Sequence, residues 1–223
     1  MQSHLQEELE QLKLKTLNMA ADTEQIIRKS IQAYEKRDEF LAEQVIDSDA
    51  AINKQEVEID ELCLRLLALE GPVASDLRFI LGSTRISVDL ERIADEAVNM
   101  AERSMLLSAR PAIPFKEEVV VMAGKALAMF KEAVRAYASG DAELALSVCK
   151  MDSEVDMLNH KNVRDIIEHM IRETPAIERS VHTIILIRRI ERIADLATNI
   201  AESVVFMVRG VNIKHQSFFD TRQ

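Results

Sequence analysis

The sequence predicts an all-α protein made of two tandem antiparallel three-helix bundles related by internal duplication. Three observations carry that prediction. Helix breakers are scarce and gathered: the five Gly and four Pro stand mainly at Gly71-Pro72, Pro111 to Pro114, Gly140 and Pro175, with Ala-, Leu-, Ile-, Glu- and Lys-rich runs between them. Apolar residues recur at helical spacing through each run. The second half of the chain restates the first.

The elements follow in order. A charged, heptad-spaced run over 4 to 36 forms the first helix. Asp38 stands where an N-cap belongs, ahead of a second helix over 39 to 69. Past Gly71-Pro72 a third helix runs over 73 to 108, and the segment ARPAIP, 109 to 114, leads to a fourth over 115 to 138. Asp141 caps a fifth helix over 142 to 172. Thr174-Pro175 supplies a cap and then proline at the first helical position of a sixth, 176 to 208. The tail RGVNIKHQSFFDTRQ loses the period and is expected to fray.

The duplication is read without gaps at first. Residues 33 to 53 lie over 136 to 156, matching Ala33/Ala136, Tyr34/Tyr137, Asp38/Asp141, Leu41/Leu144, Val45/Val148 and Asp49/Asp152. Between the second and third helices the later copy loses three residues, after which ERIADEAVNMAE (91 to 102) lies over ERIADLATNIAE (191 to 202). Two domains follow, 1 to 110 and 111 to 223, each an antiparallel bundle with short turns.

Charge excludes several functions. A formal charge of -10 and a pI near 5.1 oppose phosphate backbones and anionic headgroups, so no nucleic-acid partner and no membrane insertion are expected. The start is charged and helical, no apolar stretch approaches the roughly 20 residues of a span, and the chain reads as soluble and cytoplasmic. Cys63 and Cys149 lack any CxxC spacing and read as reduced structural thiols.

The repeated acids carry the chemistry. At about 100° per residue, Glu91, Asp95, Asn99 and Glu102 share one helix face, and Glu191, Asp195, Asn199 and Glu202 share its copy. The opposite side, Ile86, Leu90, Ile93, Ala97 and Met100, is the buried one. A solvated face is the simple reading, but like charges at i, i+4 cost roughly 0.2–0.5 kcal/mol and no lysine offsets them here. The second helix of each half adds its own stripe: Asp49, Asn53, Glu56 and Asp60 in the first, Asp152, Asp156 and Asn159 or His160 in the second. Neighbouring helices therefore turn carboxylates toward a common groove, which a bound cation would neutralise. Oxygen ligands suit magnesium, calcium, manganese or iron, and an imidazole adds zinc.

At these residues the chain resembles the PhoU family of phosphate-uptake regulatory proteins. The resemblance spans nearly the whole chain: HLQEELEQLK at the start, LRLLALEGPVASDLRFIL after the second helix, DLERIADEAVNMAE in the third and RRIERIADLATNIAE in the sixth. It implies two tandem three-helix bundles whose ExxxD or DxxxD motifs bind metal, iron or zinc above all, with magnesium or manganese as further candidates. By position the motif falls on Glu91 and Asp95, on Glu191 and Asp195, and on Asp152 and Asp156. In the second helix it falls on Asp49 and Asn53, where asparagine replaces the second acid and Glu56 and Asp60 could compensate. The resemblance also implies a cytoplasmic homodimer without catalysis. Its partners would be the ATPase subunit of a phosphate ABC transporter and a phosphate sensor histidine kinase, with starvation signalling damped when phosphate is plentiful.

The competing reading is an enzyme, a ferritin-like di-metal carboxylate oxidase. That class needs Glu-x-x-His pairs projecting into a four-helix core, and no such pair occurs. Glu178 and His182, at i, i+4, come nearest. No HExxH, GxSxG or phosphate-cradling glycine loop is present either. Of the remaining residues, the methionines, Met19, Met100, Met122, Met129 and Met207 among them, are expected to fill the core. Gly82 and Gly124 break helix propensity as though helices approached closely there. His4, His169 and His215 are read as surface residues without partners.

Overall fold

The computed structural model describes residues 4–213. Seven α-helices are found among them: α1 His4–Lys36, α2 Glu39–Asp47, α3 Asp49–Leu69, α4 Ala74–Ser108, α5 Lys116–Ser139, α6 Ala142–Arg172 and α7 Ile177–Arg209. No strand occurs among the described residues. Helices α2 and α3 are one predicted rod, interrupted at Ser48. There the ladder tightens to i→i+3 bonds, with Ser48 N–H donating to Val45 O and Ala51 N–H to Ser48 O, while the Ser48 hydroxyl donates to Val45 O at 2.6 Å. Such back-bonding bends helices. The copy has Met151 at that position and runs unbroken.

Both aspartate caps form as expected. Asp38 accepts from Leu41 N–H, and Asp141 from the N–H groups of Glu143 and Leu144. The expected Thr174 cap does not form: residues Thr174–Ala176 make a 3-10 turn, without a side-chain cap, that runs directly into α7. The missing three residues explain this. Four residues, 70–73, join α3 to α4, whereas Glu173 alone separates α6 from the turn, leaving no extended residue to serve as a cap.

The halves do not keep separate cores. Helices α1, α4, α7 and α5 pack cyclically, each on the next, into a central four-helix ring; α2 and α3 flank it on the α1/α4 side, and α6 on the α5/α7 side. The most extensive packing in the molecule is between α4 and α7, across the duplication. One apolar cluster, including Leu12, Met19, Leu90, Met122, Met129, Phe130 and Leu196, runs through both halves.

Helices α4 and α7 are antiparallel and held at both ends. Arg78 Nε, near the start of α4, donates to Met207 O near the end of α7 at 3.3 Å, and Arg110, just beyond α4, pairs with Glu178 at the start of α7. Between them Arg189 donates to Glu96 at 3.0 Å and Arg85 lies 4.7 Å over the Phe206 ring. Gly82 is the close approach: a Cβ there would stand 2.2 Å from Met207 Cγ. Gly124 has open space instead, so helix approach does not account for it. His169 is likewise not a free surface residue; its ring meets Phe115 edge-on at 5.5 Å and its Nε2 lies 3.5 Å from Glu173. His215 falls outside the described residues.

Candidate functional site: two acidic grooves

The flanking helices create the grooves. Because α3 packs on α4 and α6 on α7, the acid stripes read from the sequence meet along two seams on opposite sides of the ring. Ile52, Ile59, Val148 and Val155 are buried, which pins the rotation of α3 and α6 and brings the adjacent acids to the seam.

In the first groove, Asn53 Nδ2 donates to Asp49 Oδ2 at 2.9 Å. Asp49 Oδ1 and Asn53 Oδ1 are buried without a hydrogen-bond partner. Across the seam, burial pushes the Glu91 carboxyl above its ordinary range, and the charges of Asp95, Glu56 and Asp49 push it further, with Arg92 opposing. Asp95 is raised too, by burial first, then by the nearby Asp49 carboxylate and by Glu96. Five predicted residues are thus gathered: Asp49, Asn53, Glu56, Glu91 and Asp95. Asp60 is exposed a turn further on, where its charge acts on Cys63.

In the second groove, burial lifts the Asp152 carboxyl to about 6, helped by the charges of Asp156, Asp195 and Glu191, while the neighbouring Thr198 hydroxyl is buried without a hydrogen-bond partner. Asp195 is raised by burial and by Glu191 and Asp156, with Arg192, 3.6 Å away, pulling it back. Between the alternatives Asn159 and His160 the fold selects the former: Asn159 is fully buried and donates to Glu191 Oε1 at 2.7 Å, whereas His160 is exposed. Arg188 holds the same carboxylate at 3.0 Å.

Two participants escaped the sequence reading. Thr198 has valine, Val98, as its counterpart, so no repeat signals it. Cys149, opposite a copy with Ile46, lines the second groove: burial pushes its thiol up to about 12, and the charges of Glu202 and Asp152 add to the rise. Only its acidic neighbours distinguish it from a core cysteine.

The donor chemistry fits a cation. Each groove gathers carboxylates that raise one another's proton affinity, and each contains a buried amide oxygen without a donor, Asn53 Oδ1 in one and Asn159 Oδ1 in the other. Among the described residues no three His, Cys, Asp or Glu side chains already converge as ligands, so closing on an ion requires carboxylate rotation. A hard cation would supply the positive charge that neither groove contains in sufficient amount.

The chain is similar to known proteins along both halves. Phosphate-specific transport system accessory protein PhoU homologs are 38% identical over 209 residues in Pseudomonas aeruginosa, covering 93% of this chain and 86% of that protein. The Aquifex aeolicus homolog is 36% identical, covering 94% and 95%. In three dimensions the chain superposes on PhoU from Pseudomonas aeruginosa with a TM-score of 0.89 at 38% identity, covering 92% of this chain and 98% of that one. It also superposes on the phosphate transport system regulatory protein PhoU from Streptococcus pneumoniae, with a TM-score of 0.86 at 27% identity and coverage of 94% and 99%. The PhoU domain description matches residues 16–104 and again 119–204, one match to each copy of the duplicated unit, and with that the chain belongs to the PhoU family.

Proposed function

We propose that this chain is a non-catalytic accessory regulator of phosphate uptake that binds cations in its two acidic grooves and docks on protein partners. The observation that carries the reading is the twofold acid pairing, Glu91/Asp95 with Asp49 and Glu191/Asp195 with Asp152, inside a chain similar over 93% of its length to a phosphate-transport accessory protein. The ATPase subunit of the phosphate ABC transporter is the first partner, a sensor histidine kinase the second, and the working form is a homodimer. Iron or zinc is the favoured cation, with magnesium and manganese as competitors.

The chain's own residues set how a groove responds. Without a cation, Asp152 and its neighbours repel one another and hold a proton to about pH 6. With a cation, that repulsion turns into attraction and α3 is tied to α4, or α6 to α7. No helix among the described residues is long and apolar enough to cross a membrane, so contact with a transporter would run through its soluble subunit. The oxidase alternative gains nothing: Glu178, nearest to a Glu/His pair, is held by Arg110 and kept below the usual carboxylate range.

Affinity capture of the tagged chain from cells grown in ample phosphate tests the adaptor reading; recovery of the transporter ATPase is expected, and its absence under crosslinking would refute it. Metal content of protein purified without chelator tests the grooves separately.

A further inference from the structure

The central ring has two ends, and the duplication makes them equivalent. At one end Tyr34, Arg37, Ser104, Leu107, Ser108 and Lys116 surround a residual void of about 30 Å³. At the other, the duplicated positions Tyr137, Gly140, Val204, Met207, Val208 and Lys13 surround a cavity of about 450 Å³. All six positions recur, so the two are copies of one site, closed in one case and open in the other.

Arg37 accounts for most of the difference. It ends α1 in the left-handed conformation, φ 56°, which residues bearing a Cβ rarely adopt. The side chain compensates by reading the end of α4: Arg37 Nη2 donates to the carbonyls of Leu107 and Ser108, each at 2.8 Å, and to that of Arg110. Pro111, Ala112 and Ile113 then fold over the opening. Gly140 ends α5 with the same backbone, φ 64°, and no side chain. The counterparts of the first two carbonyls belong to Met207 and Val208; Arg78 takes the former, from α4.

The open cavity favours a cation of a particular shape. Glu10 and Asp76 line it against Lys13, with Arg78 already on the Met207 carbonyl at its rim, and the ends of α5 and α7 tip the balance by presenting the negative ends of their dipoles there. Leu9, Phe79 and Val204 give an apolar wall, with the Phe79 and Tyr137 rings stacked 6.1 Å apart. A guanidinium can meet the carbonyls through one nitrogen, as Arg37 does through Nη2, and leave its other N–H groups for Glu10 and Asp76, whereas an ammonium is a point charge. Free arginine would bring its own carboxylate beside Glu10 and Asp76, which disfavours it.

We propose that the open end of the ring is a receptor for an arginine side chain of a partner protein, seated as Arg37 is seated at the closed end. This site is distinct from the acidic grooves and does not depend on metal. Calorimetric titration of the full chain with acetyl-Ala-Arg-Ala-amide tests it. One saturable site is expected, with a lysine peptide about tenfold weaker and a norleucine peptide inert. Gly140→Arg fills the cavity from within and should abolish binding, with a modest loss of Tm from the left-handed backbone it must adopt. Asp76→Asn should weaken the arginine peptide about tenfold at unchanged Tm, and it decides the matter if Gly140→Arg fails to fold. Equal binding of the norleucine peptide overturns the proposal. So does arginine binding that survives the substitutions, since it would then be spread over the acidic surface.

Discussion

The groove between α3 and α4 and the groove between α6 and α7 arose from one sequence, but their amides have changed places. Where the first has Asn53 and Glu56, the second has Asp156 and Asn159. Each thus keeps one amide and one acid at those two positions while the amide moves by about a helical turn. In the first, the amide holds a carboxylate of its own helix, Asp49; in the second it reaches across the seam to Glu191. Arg188 joins it on Glu191, whereas the copy at that position is Val88. The second groove is therefore pre-tied across its seam and the first is not, which teaches that charge content was retained while its wiring diverged.

Removing acids from one groove at a time breaks the comparison most sharply. Asp152→Asn with Asp195→Asn should lower cation affinity at the second groove by about 100-fold or more, above the roughly 10- to 100-fold cost of losing an outer-shell partner. The first groove should be unaffected; Asp49→Asn with Asp95→Asn should do the reverse. Stoichiometry by metal analysis reads both. Loss of all binding from either pair would mean that the grooves are not independent.

Next in size is the crossing on which both grooves depend. Gly82→Val drives a branched side chain into Met207 and should cost about 1–3 kcal/mol, read by urea unfolding. Gly124→Ala meets open space and should gain up to about 1 kcal/mol in the same assay. A third test sharpens the difference in wiring. Asn53→Asp gives the first groove the acid that Asp156 gives the second and should tighten cation binding there about tenfold, by one added charged ligand.

The smallest effect concerns protons. Asp152 has a folded-state value of about 6, above its unfolded value near 3.9. The native state therefore binds the extra proton, so its penalty is present above about pH 6 and is relieved as pH falls through the window from about 6 to 4. Metal-free protein should thus gain stability from this group on acidification to about pH 5. Asp152→Asn should remove that gain and raise Tm at pH 7 by about 2–4 °C, the shift expected for about 1 kcal/mol in a chain of this size. A saturating cation should erase the difference between the pH values.

The helices and the duplication were legible because period and breakers are local: Asp38 and Asp141 cap as read, and Ile86, Leu90, Ile93 and Met100 are buried as read. The acid faces were legible for the same reason, since Glu91 and Asp95 must share a side of any helix containing both. Period does not say which neighbour a face meets. Hence Asp60, on the same face as Glu56, is exposed and acts on Cys63 instead, and Cys149 joins the acids unannounced. The shared ring was hidden because an apolar seam on α4 looks the same whether α1 or α7 covers it. Ser48 was hidden because serine inside a helix is ordinary, and only its hydroxyl contact with Val45 O reveals the break.

The contact of α4 with α7 has a mechanical consequence. Each of these rods carries an ERIAD segment on one flank and leans on the other rod with its opposite flank, with Glu96, the neighbour of Asp95, clasped by Arg189, two residues before Glu191. Such back-to-back beams melt together, so heating should give one cooperative endotherm. Tightening either clamp adds to the same spine.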